Sequence, residues 1–441
     1  MSKSNYIRDL LQRRKLGIHC GIPSFCCANK FVIEAILDQA KRFDDYVVIE
    51  ATSNQVNQYG GYTKMHPQNF ADFVYEIADK IEFSRDKIIL GGDHLGPLPW
   101  ADKSEEEAMR EAETLVQLCV KAGYIKIHLD TSMRLGSDDQ SAPLLDETVA
   151  RRGVRLYKAA EKAFAEYEVD HPDAPHPVYV IGSEVPVPGG ATENNAVKVT
   201  EPEDFENTII AYRKAFLDEK ITDAWDNIVA IVVQPGVEFG NNDIHHYDRL
   251  DARKLCRALQ KYPDIVFEGH STDYQSPLRL KEMVEDGIAI LKVGPALTFA
   301  LREALFRLAM IENELVPTEK RSNFMDVLEN EMVKNPKYWE KYYFGTEEEK
   351  RIQRKYGLSD RSRYYFALPV IEDAINKLFD NLKNVHIPMG MLKQYMPTAY
   401  ARVRDGKLKM EPRELAKNNI VTIVEDYNYA IKYNYIINGV L

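Results

Sequence analysis

The sequence lacks most of the features that would assign it to a specialised class. No stretch approaches the ~20 uninterrupted apolar residues that cross a bilayer, so a membrane-spanning role is not expected. The opening residues, MSKSNYIRDLLQRRKLG, have neither the apolar core nor the small-residue cleavage site of a secretory signal, and a cytosolic location is the expectation. Cysteine is scarce: five residues, an odd number with no CxxC spacing, argue against a disulfide framework and against a structural zinc site. Adjacent Cys26 and Cys27 read as small, semi-apolar residues at a strand-to-helix turn. Basic runs are missing too. The formal charge is −11, from 57 Lys and Arg against 68 Asp and Glu, and nucleic acid is not an expected partner. A net negative chain can still hold a small anion, because local donors and any bound ion govern such a site. Neither a Walker-type loop nor a kinase signature set is found.

What is present is a period. Short β-branched runs recur at Lys15–Ile22, Tyr46–Ala51, Lys87–Asp93, Tyr124–Asp130, Pro177–Glu184, Ile228–Pro235, Asp264–His270 and Ile288–Gly294. Between them lie segments such as Lys30–Phe43 and Glu105–Ala122, with apolar residues at helical spacing. Strand, helix, strand repeated in this way predicts an α/β fold, a (β/α)8 barrel. An open doubly wound sheet would favour a GxGxxG turn after its first strand, where this chain reads CGIPSFCCANK. After Ile311 the strand runs stop. Ile371, Ala374, Ile375, Leu378, Phe379 and Leu382 form an amphipathic stripe, and Leu415–Ile431 reads as another helix. The expected organisation is a barrel over residues 1–315 and a helical extension, 316–441, packed on it.

The polar residues fall at strand ends: Glu50, Asp93 with His94, Asp130, Glu184, Gln234, His270 and Lys292. In a barrel these ends converge on one rim, where active sites are assembled, and buried charges at so many of them are costly without partners. Parity agrees, since Lys126, His128 and Asp130 alternate with Ile125, Ile127 and Leu129. His94, Glu184 and His270 are candidate ligands of one divalent metal, a set suited to zinc, manganese, cobalt or nickel, with Gln234 as a neutral addition. Magnesium is the harder alternative. Asp93, Asp130 and Glu184 are the candidate catalytic carboxylates, although Asp93 and Asp130 can equally orient a histidine. Lys126 and Lys292 suggest a Schiff base, a reading ranked below the metal. His128 and the pair His245–His246 are assigned to structure and to a solvated loop. The turns GHST (Gly269–Thr272) and VGPALT (Val293–Thr298) follow the last two strands, where barrels commonly bind phosphate. Ser271, Thr272, Gly294 and Thr298, with Gln234, are therefore the candidate substrate and phosphate contacts.

The motifs SFCCANKFVIEAILDQA, GGDHLGP, KIHLDTSM, GSEVPVPGG, VVQPGVEF, EGHSTDYQ, LKVGPALTFALREALF, SDRSRYYF and QYMPTAYARVR span nearly the whole chain. Together they resemble the Z-subunit (GatZ/KbaZ-like) family of class II tagatose-1,6-bisphosphate aldolase, a family that includes tagatose 6-phosphate/fructose 6-phosphate 4-epimerases. The resemblance implies a phosphorylated ketose as substrate, a divalent metal, and one of two roles. One is 4-epimerisation by retro-aldol cleavage and re-addition, with Asp93, alone or with Asp130, exchanging the C4 hydroxyl proton. The other is a non-catalytic accessory subunit whose partner is an aldolase catalytic subunit. A homo-oligomer is the expected assembly. Against the distantly similar class II aldolases, one departure stands out: Gln234-Pro235-Gly236 occupies the end of the sixth strand, where those enzymes place a metal-binding histidine. Arg361 and Arg363 are residues of the extension that could reach the substrate's phosphate.

Overall fold

Eight parallel strands close a ring in the computed structural model, which describes residues 4–183, 185 and 197–437. They are β1 (Ile22–Cys26), β2 (Val47–Thr52), β3 (Ile88–Leu95), β4 (Lys126–Leu129), β5 (Val178–Ile181), β6 (Ile228–Val233), β7 (Val266–Gly269) and β8 (Ile288–Val293). Each pairs with its sequence neighbours, and β8 closes on β1 through Ile22↔Ile290 to Phe25↔Val293. The expected (β/α)8 barrel is what forms. The strands are rich in Val and Ile, whose branched side chains suit a surface buried on both faces.

Helices follow in turn: α1 (Tyr6–Gln12) below the barrel, then α2 (Lys30–Phe43), α3 (Pro67–Lys80), α4 (Glu105–Lys121), α5 (Asp146–Asp170), α6 (Pro202–Asp218), α7 (Arg249–Leu259), α8 (Pro277–Glu285) and α9 (Pro295–Leu315). Their starts are written in the sequence. Asn29 accepts from the Phe31 and Val32 N–H groups, and Ser104 caps α4 ahead of Glu105, Glu106 and Glu107. A short antiparallel ribbon, Glu238–Phe239 with Ile244–His245, stands outside the ring.

One strand is displaced from its expected place. Lys15–Ile22 was the predicted first strand, yet Arg13–Leu16 is a 3-10 turn ended by Gly17 at φ 78°, and β1 starts only at Ile22. The backbone needs Gly21 on the way in, because a Cβ there would lie 2.6 Å from Ala289 O.

The barrel interior is stratified. Ile22, Val48, Ile89, Val178, Val180, Ala230, Val232, Val266 and Ile290 fill its lower part with aliphatic side chains. Ile7, Leu10 and Leu11 of α1 join this cluster from below. Asn5 fixes that plug: it caps α1 through Ile7 N–H and donates to the carbonyls of Ile125 and His176. The polar residues are left to the upper, C-terminal end.

Beyond Leu315 come α10 (Phe324–Lys334), α11 (Glu347–Tyr356), α12 (Pro369–Lys383), α13 (Met389–Tyr395), α14 (Pro397–Arg404) and α15 (Pro412–Ile437). Their buried residues, among them Phe324, Ile371, Leu378, Leu415, Ile420 and Val424, belong to the same hydrophobic cluster as the barrel's helix layer. α15 lies against α2, α8 and α9. Among the described residues, no helix is long and apolar enough to cross a membrane.

Candidate functional site

Above the aliphatic plug sits a layer of paired charge. Lys126 Nζ lies 2.7 Å from Glu50 Oε1 and 2.8 Å from Glu268 Oε2. Lys292 reaches Glu50 as well and lies 2.9 Å from Asp93 Oδ2. All are buried, so each charge depends on its partners. Gly91 makes room for this layer, since a Cβ there would stand 2.5 Å from Glu50 Oε1. Burial opposes charge on both lysines, but Glu268 and Glu50 raise the pKa of Lys126, and Asp93 and Glu50 raise that of Lys292 well above the ordinary value. Both stay ammonium ions, which withholds the neutral amine that a Schiff base requires.

Three imidazoles meet on top of this layer. The rings of His94, His128 and His270 have centroids 4.9–5.2 Å apart, inclined at 59–86° to one another. Each has a carboxylate within hydrogen-bond distance of one nitrogen. His94 Nδ1 is 2.8 Å from Asp130 Oδ2, His128 Nδ1 is 2.9 Å from Asp93 Oδ1, and His270 Nε2 is 3.0 Å from Glu268 Oε1. The second nitrogen of His94, Nε2, lies 3.7 Å from Asp93 Oδ2, and buried His128 Nε2 has no hydrogen-bond partner. A ligand atom from each of Asp93, His94, His128 and His270 lies within 4.8 Å of every other, all four residues being buried. Carboxylate behind imidazole is how metal-ligating histidines are usually oriented. The wider cluster has four carboxylates (Glu50, Asp93, Asp130, Glu268) against two ammonium groups (Lys126, Lys292), a formal balance of −2 that one divalent cation would cancel. The residues thus fit a divalent ion of the zinc, manganese, cobalt or nickel type.

The electrostatics divide the imidazoles. Burial opposes charge on His94, yet Asp93 and Asp130 outweigh it and raise the pKa. Burial pulls His270 down to about 4, only partly offset by Glu268, so this ring is neutral at physiological pH. Burial would raise Asp93, but His94, Lys292 and His128 hold it well below the usual carboxylate range. His94 and Ser271 both adopt left-handed backbone at φ 47° and 53°, a conformation that non-glycine residues rarely adopt and that clusters at functional sites.

A cavity of about 640 Å³ opens here, within the usual range for small-ligand sites. Of the residues expected from sequence, Asp93, His94, His270, Ser271, Gly294 and Thr298 line it. The rest fall elsewhere. Asp130 sits behind His94, bonded to its ring and to Ser132, and is not among the residues lining the cavity. Gln234 turns its Oε1 back onto the N–H groups of Gly236 and Val237, capping its own turn instead of completing a ligand set. Thr272 is fully buried, donating to Lys292 O and meeting Tyr427 Oη at 2.9 Å, so it faces α15 and not the cavity. Glu184 and the turn at 186–190 lie outside the described residues.

Gln55 and Asp273 were not singled out from sequence, whereas Lys292 was named at its strand end and Arg363 as a residue reaching over from the extension. His128 was assigned to structure, although its inward parity with Lys126 was visible. Lys292, Cys26, Gln55 and Asp273 line the cavity, and the extension brings Arg363 to it. Arg361 is instead buried against the Tyr342 ring.

The geometry is matched by ancestry. The family model described as D-tagatose-1,6-bisphosphate aldolase subunit GatZ/KbaZ-like matches residues 7–432. The chain belongs to this GatZ/KbaZ-like family. A relative from Escherichia coli named D-tagatose-1,6-bisphosphate aldolase subunit GatZ is 45% identical over 424 residues, covering 96% of this chain and 99% of its own. A protein of the same name from Shigella flexneri is also 45% identical with the same coverage. Among solved structures, a probable tagatose 6 phosphate kinase from Sinorhizobium meliloti 1021 superposes with a TM-score of 0.85 at 44% identity, over 93% of this chain and 100% of that one.

Proposed function

We propose that this GatZ/KbaZ-like chain is a divalent-metal-dependent ketohexose-phosphate 4-epimerase, interconverting tagatose 6-phosphate and fructose 6-phosphate. The observation that carries the reading is the convergence of Asp93 with three carboxylate-held imidazoles, two of which, His94 and His270, line a cavity sized for a small ligand. C4 is not adjacent to the C2 carbonyl, so enolisation alone cannot invert it. Cleavage of the C3–C4 bond can, if the aldehyde fragment turns its other face and recombines. A bound divalent ion would stabilise the negative charge that this cleavage places on the three-carbon fragment. Asp93, ionised and lining the cavity, accepts the C4 hydroxyl proton and returns it on re-addition. Lys292, 2.9 Å from Asp93, keeps that carboxylate in place. Asp130 and Glu268 hold the rings of His94 and His270. Lys30 and Ser271 are the cavity residues that would meet the single phosphate. The raised pKa values of Lys126 and Lys292, which favour the ammonium form, speak against a Schiff-base route.

The names of the relatives favour a second reading, a non-catalytic accessory subunit that stabilises an aldolase catalytic subunit. The test separates the two. Purified protein, incubated alone with tagatose 6-phosphate, should form fructose 6-phosphate, with activity abolished by EDTA and by His270→Ala. No conversion with any divalent metal, alongside increased aldolase activity on mixing with a catalytic subunit, would leave the accessory role.

A further inference from the structure

In barrels of this type phosphate is commonly held after the seventh and eighth strands, at the start of the helix that follows. The first N–H groups of a helix lack internal acceptors and carry the positive end of its dipole. Here the protein fills that position itself. Asp273, in the turn after β7, is only 2% exposed. Its Oδ1 accepts from Gly294 N at 3.0 Å and from Ala296 N at 2.8 Å. Pro295 has no N–H to offer, and Leu297 N donates to Gly294 O. The neighbouring hydroxyls are committed too: Thr272 to Lys292 O and Tyr427, Thr298 to Pro295 O. A complete count therefore leaves no backbone donor from Gly294 through Leu297 for a phosphate. Arg363, the cation that acts on Asp273, spends hydrogen bonds on Ser359 O, Asp360 O and Tyr364 Oη.

We propose that Asp273 is a specificity-determining residue: its carboxylate occupies the phosphate cradle at the start of α9, so the cavity admits a ketose end bearing a hydroxyl there and rejects one bearing a phosphate. The inference rests on the ketose-phosphate reading above and sharpens it, assigning the site to monophosphates over bisphosphates. Rejection has two components. A phosphate would have to displace the carboxylate from two N–H groups, and any phosphate left beside it would meet a like charge in a water-poor site. A terminal hydroxyl, by contrast, can donate to the carboxylate.

The test compares wild type, Asp273→Asn and Asp273→Ser, each supplied with divalent metal and checked for intact folding by thermal unfolding. The amide removes the charge while keeping a cap for α9; the serine also empties the cradle. Calorimetric titration with tagatose 6-phosphate and tagatose 1,6-bisphosphate should give wild type a preference for the monophosphate of at least ~100-fold. That ratio should fall tenfold or more in the amide variant and further in the serine variant. Wild type binding both sugars within about threefold, or a ratio unchanged by either substitution, overturns the proposal. Inorganic phosphate forms a second arm that needs no sugar: it should raise the melting temperature of Asp273→Ser and not that of wild type. If neither sugar binds wild type, the ketose-phosphate reading fails. The phosphate arm then still decides whether Asp273 blocks an anion cradle, and equal response of wild type and Asp273→Ser would refute it.

Discussion

At Asp273 the loss of water outweighs good hydrogen bonding. Burial pushes its carboxyl up to about 6, although the N–H groups of Ala296 and Gly294 both favour the ionised form. A carboxyl whose pKa is raised by folding lends stability below its ordinary pKa, and that stability is lost as pH climbs through the folded value. An asparagine keeps an oxygen for the same two N–H groups and never ionises. Asp273→Asn should therefore gain stability over wild type as pH rises from 4 to 7.5, by up to roughly 3 kcal/mol across that window. Urea unfolding at the two ends of the range measures it; a difference that stays flat would mean the carboxyl titrates normally in the fold. Legibility at this scale was uneven for physical reasons. Asp93, His94 and His270 were readable because an ionisable residue at a strand's C-terminal end has few other uses. His128 was passed over because one ring nitrogen bonded to a neighbour satisfies a structural explanation, and only the convergence of three rings shows its second nitrogen unpartnered. Thr272 and Gln234 stand at the expected depth, but which way a side chain turns depends on contacts distant in sequence, here Tyr427, or on the local turn, here Gly236.

Elements were easiest to read where one period dominated. α2 begins and ends where its apolar spacing and the Asn29 cap place it, whereas the stretch before β1 mixes β-branched residues with Gly17 and Gly21 and resolves into a turn. The long C-terminal helix was legible as a helix; its target was not. α15 carries Tyr427 to the turn after β7, where its hydroxyl donates to Thr272 O at 3.0 Å and meets Thr272 Oγ1 at 2.9 Å. Its first turns are pinned to α2, with Lys417 2.9 Å from both Glu34 and Asp38. Removing the hydroxyl leaves Thr272 O short of a buried donor, which costs about 1–3 kcal/mol. Tyr427→Phe should lose that much stability in denaturant while keeping the edge-on contact of its ring with Phe25, whose centroid lies 6.3 Å away. It should also weaken ketose-phosphate binding, since Ser271 and Asp273 flank Thr272. A variant as stable as wild type would show that α15 merely covers the barrel and does not brace the cavity.

Across the whole molecule, aliphatic packing holds the lower barrel and ionic pairing holds the upper. Such an arrangement leaves stability dependent on what balances the charge. The formal excess of two negative charges among Glu50, Asp93, Asp130 and Glu268 against Lys126 and Lys292 is unfavourable in a buried setting. The raised pKa of His94 is the fold's own partial answer, since Asp93 and Asp130 favour the protonated ring. A divalent ion would answer in full, and any ligand that binds only the folded state stabilises it by mass action. At a hundredfold excess over its dissociation constant the gain is about 2.7 kcal/mol, which for a chain of 441 residues corresponds to roughly 3 °C in melting temperature. Melting should thus rise by a few degrees on adding zinc or manganese to EDTA-treated protein, and the rise should shrink in His128→Ala as well as in His270→Ala. Dependence on His128 is the discriminating result, because it separates a three-imidazole centre from the two-histidine set expected from sequence. Equal metal response in wild type and His128→Ala would return that ring to a purely structural role. No response in wild type would mean that the buried carboxylates are balanced by protons alone.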